Sequence, residues 1–169
     1  ELWKSGFDAE ACRKSLVSLL GLDRDPRAVK PVLEYFGRRH GPLATAGGVT
    51  VSRVRWDALA GVRGEGLLLL PAGEPIADII AIPDADESPE SVAGLLESGS
   101  AVSPYAAILV ASGCRVLVPT LIDRSETRFG MTRREWLHRP AFELGRTLLG
   151  YELQTILAGA DSLAASGGG

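Results

Sequence analysis

Ile76-Ala77-Asp78-Ile79-Ile80-Ala81-Ile82-Pro83-Asp84-Ala85-Asp86 and Arg115-Val116-Leu117-Val118-Pro119-Thr120-Leu121-Ile122-Asp123-Arg124 are the two stretches whose reading decides the fold. Each is a short apolar run of the kind a sheet buries on both faces, and each stops at polar residues on its carboxyl side. Between them, Tyr105 to Ser112 has helical spacing and ends at Gly113. Segments 76–82 and 115–121 therefore read as parallel neighbours joined by a crossover helix, which the handedness rule places on one face of the pair. Open α/β sheets place ligands at the carboxyl ends of such strands, which makes Asp84, Asp86, Asp123 and Arg124 the first residues to weigh.

Upstream, the pattern changes to period two from Gly48, with Thr50, Ser52, Val54 and Trp56 on one side and Val49, Val51, Arg53 and Arg55 on the other. This is a strand, expected near a sheet edge. Gly61 and Gly64 flank a turn into Glu65 to Leu70, and Pro71-Ala72-Gly73-Glu74-Pro75 is a turn leading straight to Ile76. Three strands in quick succession imply an antiparallel start. Residues 8 to 20 read as a short amphipathic helix that Gly21 terminates, an appendage. Residues 21 to 47 read as an arm crossing the surface, with Val29 to Phe36 able to form one or two helical turns.

Downstream, residues 83 to 103 are rich in Asp, Glu, Ser, Gly and Pro, with a helical turn at Glu90 to Leu96. A loop of that length beside a strand end is commonly functional. The longest regular element is expected from Arg134 to Ala165, with one face made of Phe142, Leu149, Leu153, Ile156, Ala160 and Leu163. Pro140 marks either a break or a fresh first turn in it.

Composition narrows the class of protein. The 169 residues are 46% hydrophobic and 23% charged, the make-up of one globular domain with a sizeable core. A net charge of −3 and the lack of any Lys/Arg cluster interleaved with aromatics argue against a nucleic-acid partner. No apolar run approaches the roughly 18 residues of a membrane span. Cys12 and Cys114 belong to no Cys-x-x-Cys pair, so they read as buried thiols rather than as a metal or disulfide framework. His40 and His138 lack metal-ligand spacing and read as surface or capping residues. No metal site and no cofactor are implied.

The candidate residues each have a plainer reading. Asp84 and Asp86 suit a cation or the orienting of a catalytic group, but they suit turn chemistry as well. Asp123 and Arg124 either line a cleft or make a structural ion pair. Glu135, Arg139, Glu143 and Arg146 fall at helical spacings that favour salt bridges. Gly-x-Ser-x-Gly, the phosphate-binding Gly-x-x-x-x-Gly-Lys and His-Glu-x-x-His do not occur. In Ser112-Gly113-Cys114 the Cys begins a buried strand rather than sitting on a strand-to-helix turn, which argues against a nucleophile there.

Several strings resemble an established family. They are Val54-Arg55-Trp56, Gly64-Glu65-Gly66-Leu67-Leu68-Leu69, Ala81-Ile82-Pro83-Asp84-Ala85-Asp86, Val118-Pro119-Thr120-Leu121-Ile122-Asp123-Arg124 and Arg134-Glu135-Trp136. Phe142-Glu143-Leu144-Gly145-Arg146 and Gly150-Tyr151-Glu152-Leu153-Gln154 continue them. Together they resemble the N-terminal half of an α/β-hydrolase of the dienelactone hydrolase and acetyl xylan esterase-like branch. The implied fold is α/β: an antiparallel start, then parallel strands with crossover helices. Residues 1–47 would be a helical arm and residues 48–169 a partial hydrolase domain.

The resemblance further implies a serine hydrolase acting on carboxylic esters or related acyl bonds of small molecules. Its nucleophile, acid and base are expected beyond Gly169, so the chain as given is expected to be catalytically incompetent. The loop after the third strand of this fold donates an oxyanion-hole N–H, which maps the backbone of Asp84, Ala85 and Asp86 as candidates. Asp123 and Arg124 are candidates to line the cleft. A sheet ending there would leave a hydrophobic edge, through which the chain is expected to self-associate. The alternative is a non-catalytic α/β domain that binds a partner through that same surface.

Overall fold

The computed structural model describes residues 8–23, 32–37, 41–96 and 102–167. Its centre is β6 (Arg115–Pro119), whose residues are all buried because helices cover both faces of the sheet around it. Alternation sends Val116 and Val118 to one face and Leu117 to the other. The neighbouring β4 (Val62–Leu70) divides the same way, with Leu67 and Leu69 on the first face and Leu68 on the second. The first face packs on α3 (Tyr105–Ala111) through Ala106 and Val110, and on α2 (Pro89–Val92) through Val92. The second packs on α5 (Leu148–Ala165) through Ala158 and Leu163.

The sheet runs β1-β3-β4-β6-β5, with β2 also paired to β3. β1 (Glu34–Tyr35) and β2 (Ala44–Ala46) lie antiparallel to β3 (Val49–Leu59), which forms a hairpin with β4. β4 is antiparallel to β6, and β5 (Asp78–Ile80) is parallel to β6 with Ile79 opposite Val116. The parallel pair expected from the sequence is present, in one sheet. The turn-linked succession holds for β3 and β4 only, because β6 enters between β4 and β5.

Both strands of the pair are shorter than their apolar runs. Among the described residues β5 has one neighbour, β6, and hydrogen bonds continue past its ends, from Ile76 N to Gly113 O at 3.0 Å and from Ala81 N to Leu117 O at 2.9 Å. Ile76 and Ile82 stay exposed at either end. Gly64 lies inside β4, and the hairpin turn sits at Ala60 and Gly61. The Trp56 indole fills the place where a Gly64 side chain would sit, and its Nε1 donates to Thr155 O at 2.9 Å. β3 lies near the sheet edge, as expected, with only the short β1 and β2 outside it among the described residues.

The expected helical turns at Val29 to Phe36 give way to β1 where the chain is described, because Glu34 and Tyr35 pair with Arg55 and Val54. The Glu34 carboxylate also accepts from Arg55 Nε at 2.9 Å. Val29 to Pro31 lie outside the described residues, as does His40. α1 (Ala9–Leu20) is capped by the Asp8 carboxylate and ends at Gly21 with φ +72°. It projects, with Leu16 and Leu19 exposed and Cys12 exposed rather than buried, but its end is docked. Leu20 is buried, and its carbonyl approaches Gly150 so closely that a β-carbon there would collide with it.

The single long helix expected at 134–165 is two helices. α4 (Arg133–Glu143) contains Pro140 without breaking there. The break comes at Gly145, with φ +85°, and Thr147 then caps α5 by accepting from Gly150 N. A positive φ is cheap only for glycine, so Gly145 fixes the corner. The turn re-aims the apolar stripe: Phe142 and Leu149 are exposed, while Leu148, Glu152, Gly159, Ser162 and Leu163 face inward.

Candidate functional site

The polar segments at the carboxyl ends of β5 and β6 meet. After β5 the chain turns at residues 84–87, where Glu87 N donates to Asp84 O at 3.0 Å and Asp84 N donates to Glu87 Oε2 at 3.1 Å. Ala85 N donates to Asp84 Oδ1 at 2.6 Å. Ser88 then opens α2 by accepting from Ser91 N, with Pro89 in the first helical turn where a missing N–H costs nothing. From α3, the Tyr105 hydroxyl donates to Ile82 O at 2.9 Å. Burial, reinforced by the Glu87 carboxylate, raises the pKa of this phenol.

Arg124, just past β6, reaches across to this turn. Its Nη1 lies 2.6 Å from Asp86 Oδ2 and 3.6 Å from Asp84 Oδ1. The hydrogen bond to Asp86, then the charges of Asp86 and Asp84, raise the guanidinium pKa further. The two aspartates and Arg124 are thus brought together, as an exposed ion-pair cluster.

Asp123 points elsewhere. Its Oδ1 accepts from both the hydroxyl and the N–H of Ser125, and Arg133 lies 3.6 Å from Oδ2. The Ser125 hydroxyl, then its N–H, and the Arg133 charge hold this carboxyl below its usual range. Asp123 lines a cavity of about 620 Å³ between the end of β6, the start of β4, α4 and α5. Leu121, Leu137, Leu144, Leu148 and Ile156 make it largely apolar, and its volume falls within the ~300–1,000 Å³ common for small-molecule sites. Arg124 does not line it.

The cavity floor is organised by Glu152, which the sequence reading did not single out. Arg134 donates to both its carboxylate oxygens, Ile122 N donates to Oε1 at 3.2 Å, and Arg134 Nη1 also donates to Ile122 O at 2.8 Å. A signal was available: Glu152 stands four residues after Leu148 and four before Ile156, a charge on an apolar helical stripe. Arg115 and Asp78 were missed likewise. Arg115 Nε and Nη2 donate to Asp78 Oδ1 and Oδ2 at 2.7 and 2.6 Å, and Nη2 also donates to Leu163 O at 2.9 Å. This buried guanidinium joins the start of β5 to the end of α5.

The other candidates are ordinary structure. Arg139 pairs with Glu143 at 2.9 Å on α4, while Glu135 closes a capping box with Thr132. The Arg146 guanidinium lies 5.5 Å from the Tyr151 ring centre. Cys114 is buried ahead of β6 and His138 is exposed on α4. Among the described residues, no three or more His, Cys, Asp or Glu side chains gather as a metal site, and no helix is long and apolar enough to cross a membrane.

No family model and no curated protein matches the sequence. Among solved structures, the crystal structure of a candidate acetyl xylan esterase from Bacteroides fragilis NCTC 9343 matches with a TM-score of 0.62 at 18% identity. The match covers 88% of this chain and 40% of that one, so the chain spans less than half the length of its structural neighbour. At this identity the likeness concerns the fold, which is α/β-hydrolase-like.

Proposed function

We propose that this α/β-hydrolase-like chain is the N-terminal portion of a serine-type hydrolase of the dienelactone hydrolase and acetyl xylan esterase-like branch. Its substrates would be small carboxylic esters or related acyl compounds. The observation that carries the reading is the outer edge of β5, which no described strand pairs, beside the polar turn at the carboxyl end of a parallel strand pair. Arg115 ties the end of α5 to Asp78 at the start of β5. A segment following α5 would therefore begin next to β5 and could run parallel to it, as a crossover requires.

In this reading residues 1–47 are an arm, stitched to the domain 48–169 by β1 and β2. The turn at residues 84–86 contributes an oxyanion amide. Asp84 and Ala85 already direct their N–H groups at carboxylates, while the Asp86 N–H has no acceptor among the described residues. Asp86 is thus the best of the three candidates. The nucleophile, its base and the orienting acid would lie beyond Gly169, and the 169 residues alone would then lack the unit that attacks an ester.

The test is the sequence downstream and its activity. A reading frame that continues through Gly-x-Ser-x-Gly should hydrolyse an activated short-acyl ester, with the Ser to Ala variant silent. The 169-residue chain should show neither turnover nor labelling by a fluorophosphonate. Stoichiometric labelling of one Ser in the short chain would overturn the reading, and Ser88, whose Oγ serves as a helix cap, would be the first to substitute.

A second reading, a non-catalytic domain that binds a protein partner, draws on the same free edge and on exposed Trp136, Phe142 and Leu144. A stop codon directly after Gly169 would favour it.

A further inference from the structure

The turn after β5 carries three carboxylates, Asp84, Asp86 and Glu87, at the place the hydrolase reading assigns to oxyanion stabilisation. Negative charge there opposes the reaction, because a tetrahedral intermediate builds its own negative charge against the same amide. The geometry shows how that conflict is relieved. Asp84 Oδ1 accepts from Ala85 N at 2.6 Å and lies 3.6 Å from Arg124, while Asp86 Oδ2 lies 2.6 Å from Arg124. Both aspartate side chains are turned to one cation, and the backbone N–H of Asp86 is left without an acceptor among the described residues.

We propose that Arg124 is a positioning residue for the oxyanion amide, holding the Asp84 and Asp86 carboxylates aside and neutralising them so that the Asp86 N–H can meet the substrate oxygen. The proposal rests on the serine-hydrolase reading above. Arg124 is suited to it by placement as well as charge. It follows β6, the neighbour of β5, so the parallel register of Ile79 with Val116 and Ile80 with Leu117 brings it level with the turn. Both carboxylates face the same nitrogen, Nη1, at 2.6 and 3.6 Å, so one delocalised charge answers the two of them.

The cluster is half-exposed, so it contributes little to folding, and its main effect would fall on chemistry. That separates a positioning role from a structural one. The full-length protein containing this chain is assayed on a neutral activated ester as wild type, Arg124→Met, Arg124→Lys, Asp84→Asn with Asp86→Asn, and the combination of Arg124→Met with both Asn substitutions. Arg124→Met should lose about tenfold or more in kcat with KM within about twofold, since the amide acts on the transition state. Arg124→Lys should fall between. The triple variant should regain, relative to the double Asn variant, most of what Arg124→Met loses relative to wild type, because neither carboxylate that Arg124 holds remains.

Unchanged kcat in Arg124→Met, with fluorophosphonate labelling intact, would overturn the positioning role and leave the hydrolase reading standing. A loss that the triple variant does not relieve would also overturn it. Should Arg124→Met fail to fold by circular dichroism, Arg124→Gln decides: an unchanged kcat there would sink the proposal. A wild-type protein with neither turnover nor labelling would overturn both.

Discussion

Arg134 and Glu152 face each other through two parallel hydrogen bonds, Nη1 to Oε1 at 2.6 Å and Nη2 to Oε2 at 2.8 Å. The carboxylate is buried while the guanidinium is a quarter exposed. Their hydrogen bond is the main cause of the raised Arg134 pKa. Through Ile122 the pair gathers the loop after β6, the first turn of α4 and the first turns of α5 around the apolar cavity.

Removing the cation alone leaves Glu152 desolvated and uncompensated. Arg134→Met should therefore cost about 3 kcal/mol in urea unfolding, as loss of one partner of a buried pair does. Arg134→Met combined with Glu152→Leu should recover much of it, since two apolar residues need no partner. Equal losses in the single and double variants would show that packing, not charge, is the source.

Gly66 sits in β4 between β3 and β6, where a β-carbon would lie 2.2 Å from Val118 O. That carbonyl belongs to the central strand and cannot retreat without opening the sheet. Gly66→Ala should destabilise by about 3 kcal/mol, the upper part of the usual overpacking range. Thermal unfolding of the variant against Gly73→Ala, where nothing lies within 4 Å, provides the check.

The edge of β5 is short and apolar at its flanks, with Ile76 75% and Ile82 50% exposed. The isolated chain is expected to self-associate through it at about tens of micromolar, where exposed strand edges commonly begin to pair. Ile76→Lys with Ile82→Lys should shift sedimentation velocity profiles toward monomer, because charge at a strand edge discourages pairing. A wild-type chain that sediments as a monomer throughout that range would remove the basis for this expectation.

Asp123 gives a pH-dependent signature. Hydrogen bonds from Ser125, chiefly its hydroxyl, favour the ionised carboxyl and lower its folded pKa. The sign follows from linkage: the contribution is present above the unfolded carboxyl pKa and is lost as pH falls through the depressed folded value. NMR titration should place Asp123 below ordinary aspartates, and Ser125→Ala should move it upward. A midpoint unmoved by Ser125→Ala would assign the shift to Arg133 instead.

Local chemistry in the sequence was enough for the existence of a strand from Val49 and of one from Arg115, for the helix starting at Tyr105, for the parallel pairing of β5 with β6 and for the polar turns at their carboxyl ends, though not for where each element stops. Each depends on periodicity or on a turn residue a few positions away. The placement of β6 between β4 and β5, the corner at Gly145 and the orientations of α4 and α5 that expose Phe142 and Leu149 depended on contacts far apart in the chain. An apolar stripe marks a helix as buried, but several neighbouring stripes compete for the core, and only assembly selects one. The same limit applied to the charged residues. Asp84, Asp86, Asp123 and Arg124 were legible as polar residues at strand ends, yet which of them pair was decided in space: Arg124 by its reach to the neighbouring strand's turn, Asp123 by Ser125 two residues on. Glu152 was marked as a charge on an apolar stripe, but its pairing with Arg134, like that of Arg115 with Asp78, could not be read, because an ion pair carries no periodicity and its partners are chosen by the fold that brings them within hydrogen-bonding distance.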